Sequence, residues 1–136
     1  MTVIAVDAMG GDHAPHEIVH GAVLAAKEFG VSVQLIGQED LIKRELKKHY
    51  TQLLPIEVIP AEDVIDMAET QPASAVRKKP NSSIAVAMNQ VASGKASGVV
   101  AAGSTGAATA AALFIDRKST RLNSSHNVPS RMPSSA

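Results

Sequence analysis

Along the first 115 positions the hydrophobic pattern switches repeatedly between short unbroken apolar runs and stripes that recur every three or four residues. Val3-Ile4-Ala5-Val6 is an apolar run ending in Asp7, the pattern of a strand buried on both faces. Ala8 to Pro15 contains Gly10-Gly11 and Pro15 and reads as a loop. From His16 to Phe29 the residues Ile18, Val19, Ala22, Val23, Ala26 and Phe29 form one helical stripe, stopped by Gly30. Val31 to Ile36 reads as a second strand closed by Gly37. Glu39 to Tyr50 reads as a helix with Leu41, Ile42 and Leu46 inward and Lys43, Arg44, Lys47 and Lys48 solvated. Ile56 to Ile59, between Pro55 and Pro60, is a third strand. Ile65 to Lys79 is polar and interrupted by Pro72, so a long connection with one helical turn is expected. Asn81-Ser82-Ser83 can cap a helix running to Ser93, with Gly94 closing it. Ser97 to Ala102 is a fourth strand, followed by Gly103-Ser104-Thr105-Gly106 and an alanine-rich helix from Ala107.

Strand and helix alternate throughout, which predicts an α/β domain built on a parallel sheet with crossover helices. Right-handed crossovers put successive strand ends on one side, so Asp7 and Gly103 are expected near the same sheet edge. Aromatic residues are confined to Phe29, Tyr50 and Phe114, so the core must come from Val, Ile, Leu and Ala. That excludes an aromatic stacking surface for single-stranded nucleic acid. The chain has no cysteine, which removes disulfides, thiolate metal sites and cysteine nucleophiles together. No apolar run approaches the roughly 18–20 residues that span a membrane. The N-terminus lacks a basic segment ahead of an apolar one, so a cytoplasmic location is expected.

Charge changes the domain picture. Lys plus Arg and Asp plus Glu are 13 each over the whole chain, but residues 1–115 carry nine cations and twelve anions. Residues 116–136 carry four cations and one anion, with six serines and no apolar stripe, the composition of a disordered tail. Asp116 to His126 and Ser130 to Ala136 resemble, in one reading frame, the translation of a common short-read sequencing adapter, with Asn127-Val128-Pro129 across its variable index. Residues 116–136 are therefore expected to be non-native, the native sequence running to about Ile115, and are set aside from fold and function.

Ligands of open α/β sheets sit outside the carboxyl ends of the strands, and two segments follow strands there. In Asp7-Ala8-Met9-Gly10-Gly11-Asp12-His13 the glycines allow close backbone approach, and Asp7, Asp12 and His13 offer acid/base groups. The spacing does not match the dinucleotide fingerprint. In Gly103-Ser104-Thr105-Gly106 the free amides at a helix start and two hydroxyls favour an anion, and the absence of a following Lys excludes a Walker loop. Arg77-Lys78-Lys79-Pro80-Asn81-Ser82-Ser83 places three cations before a helix, suited to a phosphate or an acidic carrier protein, or simply to solvent. His16 and His20 have a metal-like spacing, but lack a third nearby ligand in sequence and read as exposed side chains. On residues alone, another phosphate- or nucleotide-binding enzyme stays open.

Four segments in order resemble the phosphate acyltransferases of phospholipid synthesis, the PlsX family. They are Asp7-Ala8-Met9-Gly10-Gly11-Asp12, Met67 through Pro72, Arg77 through Ile84, and Ala102-Gly103-Ser104-Thr105-Gly106-Ala107. Ser104 stands where the family has Asn, and Asn81 where Asp is frequent. The resemblance implies a parallel sheet with helices on both faces, akin to phosphotransacetylases and isocitrate dehydrogenases. It implies an enzyme moving a fatty acyl group from acyl carrier protein to inorganic phosphate, giving an acyl phosphate, with no metal or organic cofactor. Phosphate would be held by Gly10, Gly11, Gly103, Ser104, Thr105 and Gly106. Arg77, Lys78, Lys79, Ser82 and Ser83 would contact the carrier or phosphate, and Asp7, Asp12 and His13 are the catalytic candidates. Members are homodimers of much longer chains whose second half makes the peripheral membrane contact, so the present chain by itself is expected to be inactive.

Overall fold

The computed structural model describes residues 2–65, 70–103 and 106–113. Ser104, Thr105, residues 66–69 of the acidic-proline stretch and residues 116–136 lie outside the described residues. The elements run β1 (Val3–Asp7), α1 (His16–Phe29), β2 (Ser32–Gly37), α2 (Glu39–Leu46), β3 (Ile56–Pro60), α3 (Pro72–Lys78), α4 (Ser83–Ala92) and β4 (Gly98–Val100). Residues 106–113 are helical as well.

The strands form one parallel sheet in the order β3-β2-β1-β4. Alternation along each strand divides its side chains between two cores. Val6, Val33 and Leu35 face α1 and α2, where they meet Val19, Val23, Ala26 and Ile42. Ala5 and Ile36 face the other way, toward Ala87 of α4. A third cluster joins Ile65, Ala75, Val76 and Ile84 to Ala107 and Ala111. Helices therefore cover both faces.

The chain winds from β1 through β2 to β3 in one direction, then returns past both to place β4 on the far side of β1. Right-handed crossovers in opposite directions must leave their helices on opposite faces, which is why α4 lies across the sheet from α1 and α2. The reversal also opens a switch point between the carboxyl ends of β1 and β4, the place where such sheets bind ligands.

Three boundaries differ from the pattern reading. The connection 65–79 contains a seven-residue helix, α3, because Pro72 occupies its first turn, where the missing N–H costs nothing. α2 ends at Leu46, short of Tyr50. β4 covers three residues, paired to Ile4, Ala5 and Val6, instead of six. Among the described residues no helix is long and apolar enough to cross a membrane.

Candidate functional site

At the switch point the loop after β1 and the loop after β4 come into backbone contact. A Cβ on Gly10 would lie 2.8 Å from the Gly103 amide nitrogen and 3.1 Å from its Cα. No side chain fits there, and this close approach is why both positions are glycine. Gly11 adopts φ 101°, a left-handed conformation, with the Ala102 carbonyl oxygen 3.3 Å from where its Cβ would be. Asp7 and Gly103 thus meet at one edge, as the strand order demands.

Asp7 ends β1 with its side chain on the α4 side of the sheet, and it is only 5% exposed. Its Oδ1 accepts the Met9 amide at 3.1 Å. The Gly10 amide donates to the Asp7 main-chain carbonyl at 3.3 Å, and the Ser83 side chain is a further hydrogen-bonding partner of the carboxyl. Burial pushes the Asp7 carboxyl above its ordinary 3.8, and these hydrogen bonds offset only part of that rise. Beside it is a small gap of about 10 Å³ lined by Asp7, Gly10, Ile65, Ile84, Ala101, Gly103 and Ala107. That volume is at the lower limit for a single water. No phosphate or thioester enters it.

The start of α4 is pinned to the same place. The Ser82 hydroxyl caps α4 by accepting the Ala85 amide at 3.3 Å. The Ser83 amide donates to the Asp63 carbonyl at 2.9 Å, tying α4 to the chain that leaves β3. Ser82 and Ser83 are fully or almost fully buried. Ser82 thus serves its own helix and Ser83 lies against Asp7.

Asp12 and His13 are exposed, at the outer end of the β1 loop, where the His13 carbonyl accepts the Glu17 amide at 3.1 Å. Arg77 and Lys78 end α3 and Lys79 follows it; all three are exposed, and Lys79 Nζ donates to the Val64 carbonyl at 3.3 Å. Gly106 begins the described helical stretch, and Ser104 and Thr105, expected to hold phosphate, lie outside the described residues. Ile65 and Ile84, which have no site role on sequence grounds, form the apolar wall beside Asp7. Their apolar character is visible in the sequence, but nothing local says which polar group they enclose.

His16 and His20 remain exposed on α1. His16 Nδ1 lies 3.0 Å from Glu45 Oε2, and the His20 ring stands 5.3 Å from that of His49. His16, and after it Lys48, holds the Glu45 carboxyl below the ordinary carboxylate range. Among the described residues no group of three His, Cys, Asp or Glu could hold a metal ion. These contacts join α1 to α2 and to the segment that follows it.

Comparison with known proteins agrees with this architecture. Residues 2–125 match the family described as fatty acid synthesis protein. The chain is 50% identical over 113 residues to the phosphate acyltransferase of Trichodesmium erythraeum (strain IMS101), covering 83% of this chain and 33% of that protein. It is 53% identical over 111 residues to the phosphate acyltransferase of Cyanothece sp. (strain PCC 7425 / ATCC 29141), covering 82% and 32%. It is 51% identical over 115 residues to that of Desulforamulus reducens (strain ATCC BAA-1160 / DSM 100696 / MI-1), covering 85% and 34%. The chain spans about a third of the length of the curated relatives it matches.

Proposed function

The chain belongs to the family of fatty acid synthesis proteins, and from that premise we propose that the complete protein transfers a fatty acyl group from acyl carrier protein to inorganic phosphate. A phosphate oxygen attacks the thioester carbonyl carbon, a C–O bond forms, the C–S bond breaks, and the carrier thiolate leaves and takes up a proton. The product is an acyl phosphate, the acyl donor for phospholipid synthesis. The name phosphate acyltransferase, carried by relatives at about half identity, supports this reaction.

One observation carries the placement of the site: the side-chain-free contact of Gly10 with Gly103 at the switch point. It brings two glycine-containing loops together at the edge where open sheets bind ligands. Backbone amides at the start of the helix after β4 favour an anion there. The small size of the gap beside Asp7 supports a phosphate position on the outer side of this junction, at the 103–106 loop. The work required of the protein is positioning the nucleophile against the carbonyl and stabilising the oxyanion that develops, with no covalent intermediate on the chain.

The exposed Arg77, Lys78 and Lys79 supply a basic surface for the acidic carrier, whose approach such charges accelerate. The complete protein is read as a cytoplasmic homodimer whose membrane contact lies outside residues 1–115. Residues 116–136 are given no part in the activity.

Thr105 tests the phosphate site. Each charge-assisted hydrogen bond contributes about 1.5–3 kcal/mol, so Thr105→Ala should raise the phosphate KM of the complete enzyme about ten-fold or more. Initial rates against phosphate concentration, at fixed acyl-carrier substrate, measure this. A folded Thr105→Ala protein with wild-type phosphate dependence would reduce the loop to a helix cap.

A further inference from the structure

Asp7 is the one acid among the sequence candidates that the structure buries, and its position decides what it can do. Asp12 and His13 are exposed, whereas Asp7 is 5% exposed behind the Gly10–Gly103 contact. Its carboxyl touches the loop that follows it and the start of a distant helix. It accepts the Met9 amide at the start of the β1 loop. Its Oδ2 would lie 3.1 Å from a Cβ on Gly10, immediately behind the glycine that meets Gly103. It hydrogen-bonds to Ser83, the first residue of α4.

We infer that Asp7 is a positioning residue, a brace between the β1 loop and the start of α4 that holds Gly10 against Gly103 and so sets the backbone from which the phosphate loop departs. The inference rests on the phosphate-transfer reading for the meaning of that loop, but the brace itself is a property of the fold. Asp7 does not touch substrate. What the brace needs is the shape and hydrogen bonding of the carboxyl, not its charge. The other groups around the gap, Gly10, Ile65, Ile84, Ala101, Gly103 and Ala107, carry no charge to compensate an anion, and burial accordingly raises the carboxyl above its ordinary 3.8. An amide has the same outline and retains the acceptor for Met9.

Asp7→Asn and Asp7→Ala in the complete enzyme separate this role from a catalytic one. Losing the brace in Asp7→Ala should lower kcat/KM about ten-fold or more, the size expected from two lost hydrogen bonds, mainly through a higher phosphate KM. Asp7→Asn should return kcat/KM to within about three-fold of wild type, a rescue that a proton-transferring acid does not permit.

The stability readout does not depend on acyl transfer. A buried acid whose folded pKa lies above its unfolded value favours folding while protonated, and that contribution is lost as pH rises from 3.8 through the folded value. Wild type should therefore lose Tm relative to Asp7→Asn over that rise. Asp7→Ala and Ser83→Ala should be non-additive in Tm when combined, since both remove one contact.

Asp7→Asn as inactive as Asp7→Ala, with kcat rather than KM reduced, would make Asp7 catalytic and overturn the inference. Additive Tm losses for Asp7→Ala and Ser83→Ala would overturn it independently. A complete wild-type enzyme with no phosphate-dependent transfer would instead remove the functional reading, and the thermal coupling alone would then decide whether Asp7 is a brace.

Discussion

Gly10→Ala should cost the enzyme at least ten-fold in phosphate-dependent kcat/KM while leaving a folded, less stable protein. The added methyl would stand 2.8 Å from the Gly103 nitrogen and 3.1 Å from Asp7 Oδ2. Neither neighbour can turn away, because the first is backbone and the second is held by Met9 and Ser83. The two loops must then separate, with an overpacking cost of about 1–3 kcal/mol. A displacement of about 1 Å in a positioning loop is enough for losses near a hundred-fold in rate, so activity should fall further than stability. Gly37 supplies the contrast. A Cβ there meets the Cγ and Sδ of Met9, the end of a flexible side chain, and Ile42 Cδ1 at 3.1 Å. Gly37→Ala should therefore be much milder, since methionine readily changes rotamer. Thermal melts and initial rates for the two variants measure the difference; equal losses would mean that the Gly10–Gly103 contact has no special part in the site.

Leu35→Ala should have the largest effect on stability and almost none on the chemistry. Leu35 is fully buried in the middle of β2, in the core between the sheet and helices α1 and α2. Its truncation leaves a cavity costing about 2–5 kcal/mol, a large share of the roughly 5–15 kcal/mol that holds a domain together. The site lies at the β1–β4 junction, and Asp7 faces α4 instead, across the sheet from this core. Below its lowered Tm the variant should keep the wild-type phosphate KM. Denaturant unfolding followed by rate measurements tests both halves. A changed KM in the folded variant would show that the two faces of the sheet are coupled in forming the site.

Much of the fold was legible because period and punctuation agreed. β1 is an unbroken apolar run, and α1 and β2 each combine an apolar stripe or run with a glycine at the end; all three appear within one residue of their expected bounds. α3 was hidden because its composition is polar and Pro72 reads as a breaker unless it is known to occupy a first helical turn. β4 was expected longer because Ser97 to Ala102 is extended in character, while the ladder with β1 supports only Gly98 to Val100. For the site, the two glycine loops were visible individually as strand-to-helix connections. Their contact required the strand order, which places β4 beside β1 and not beside β3. Ser83 is a similar case: nothing near it in sequence indicates that the sheet sets it against Asp7.

The central claim is that inorganic phosphate is held where the loops after β1 and β4 meet. Backbone amide NMR of the complete protein, titrated with inorganic phosphate, tests it most directly. Saturable shifts are expected at Gly10, Gly11, Gly103 and Gly106, weakened in Thr105→Ala. Shifts confined to Arg77, Lys78 and Lys79, with the four glycine amides unmoved at saturating phosphate, would contradict it.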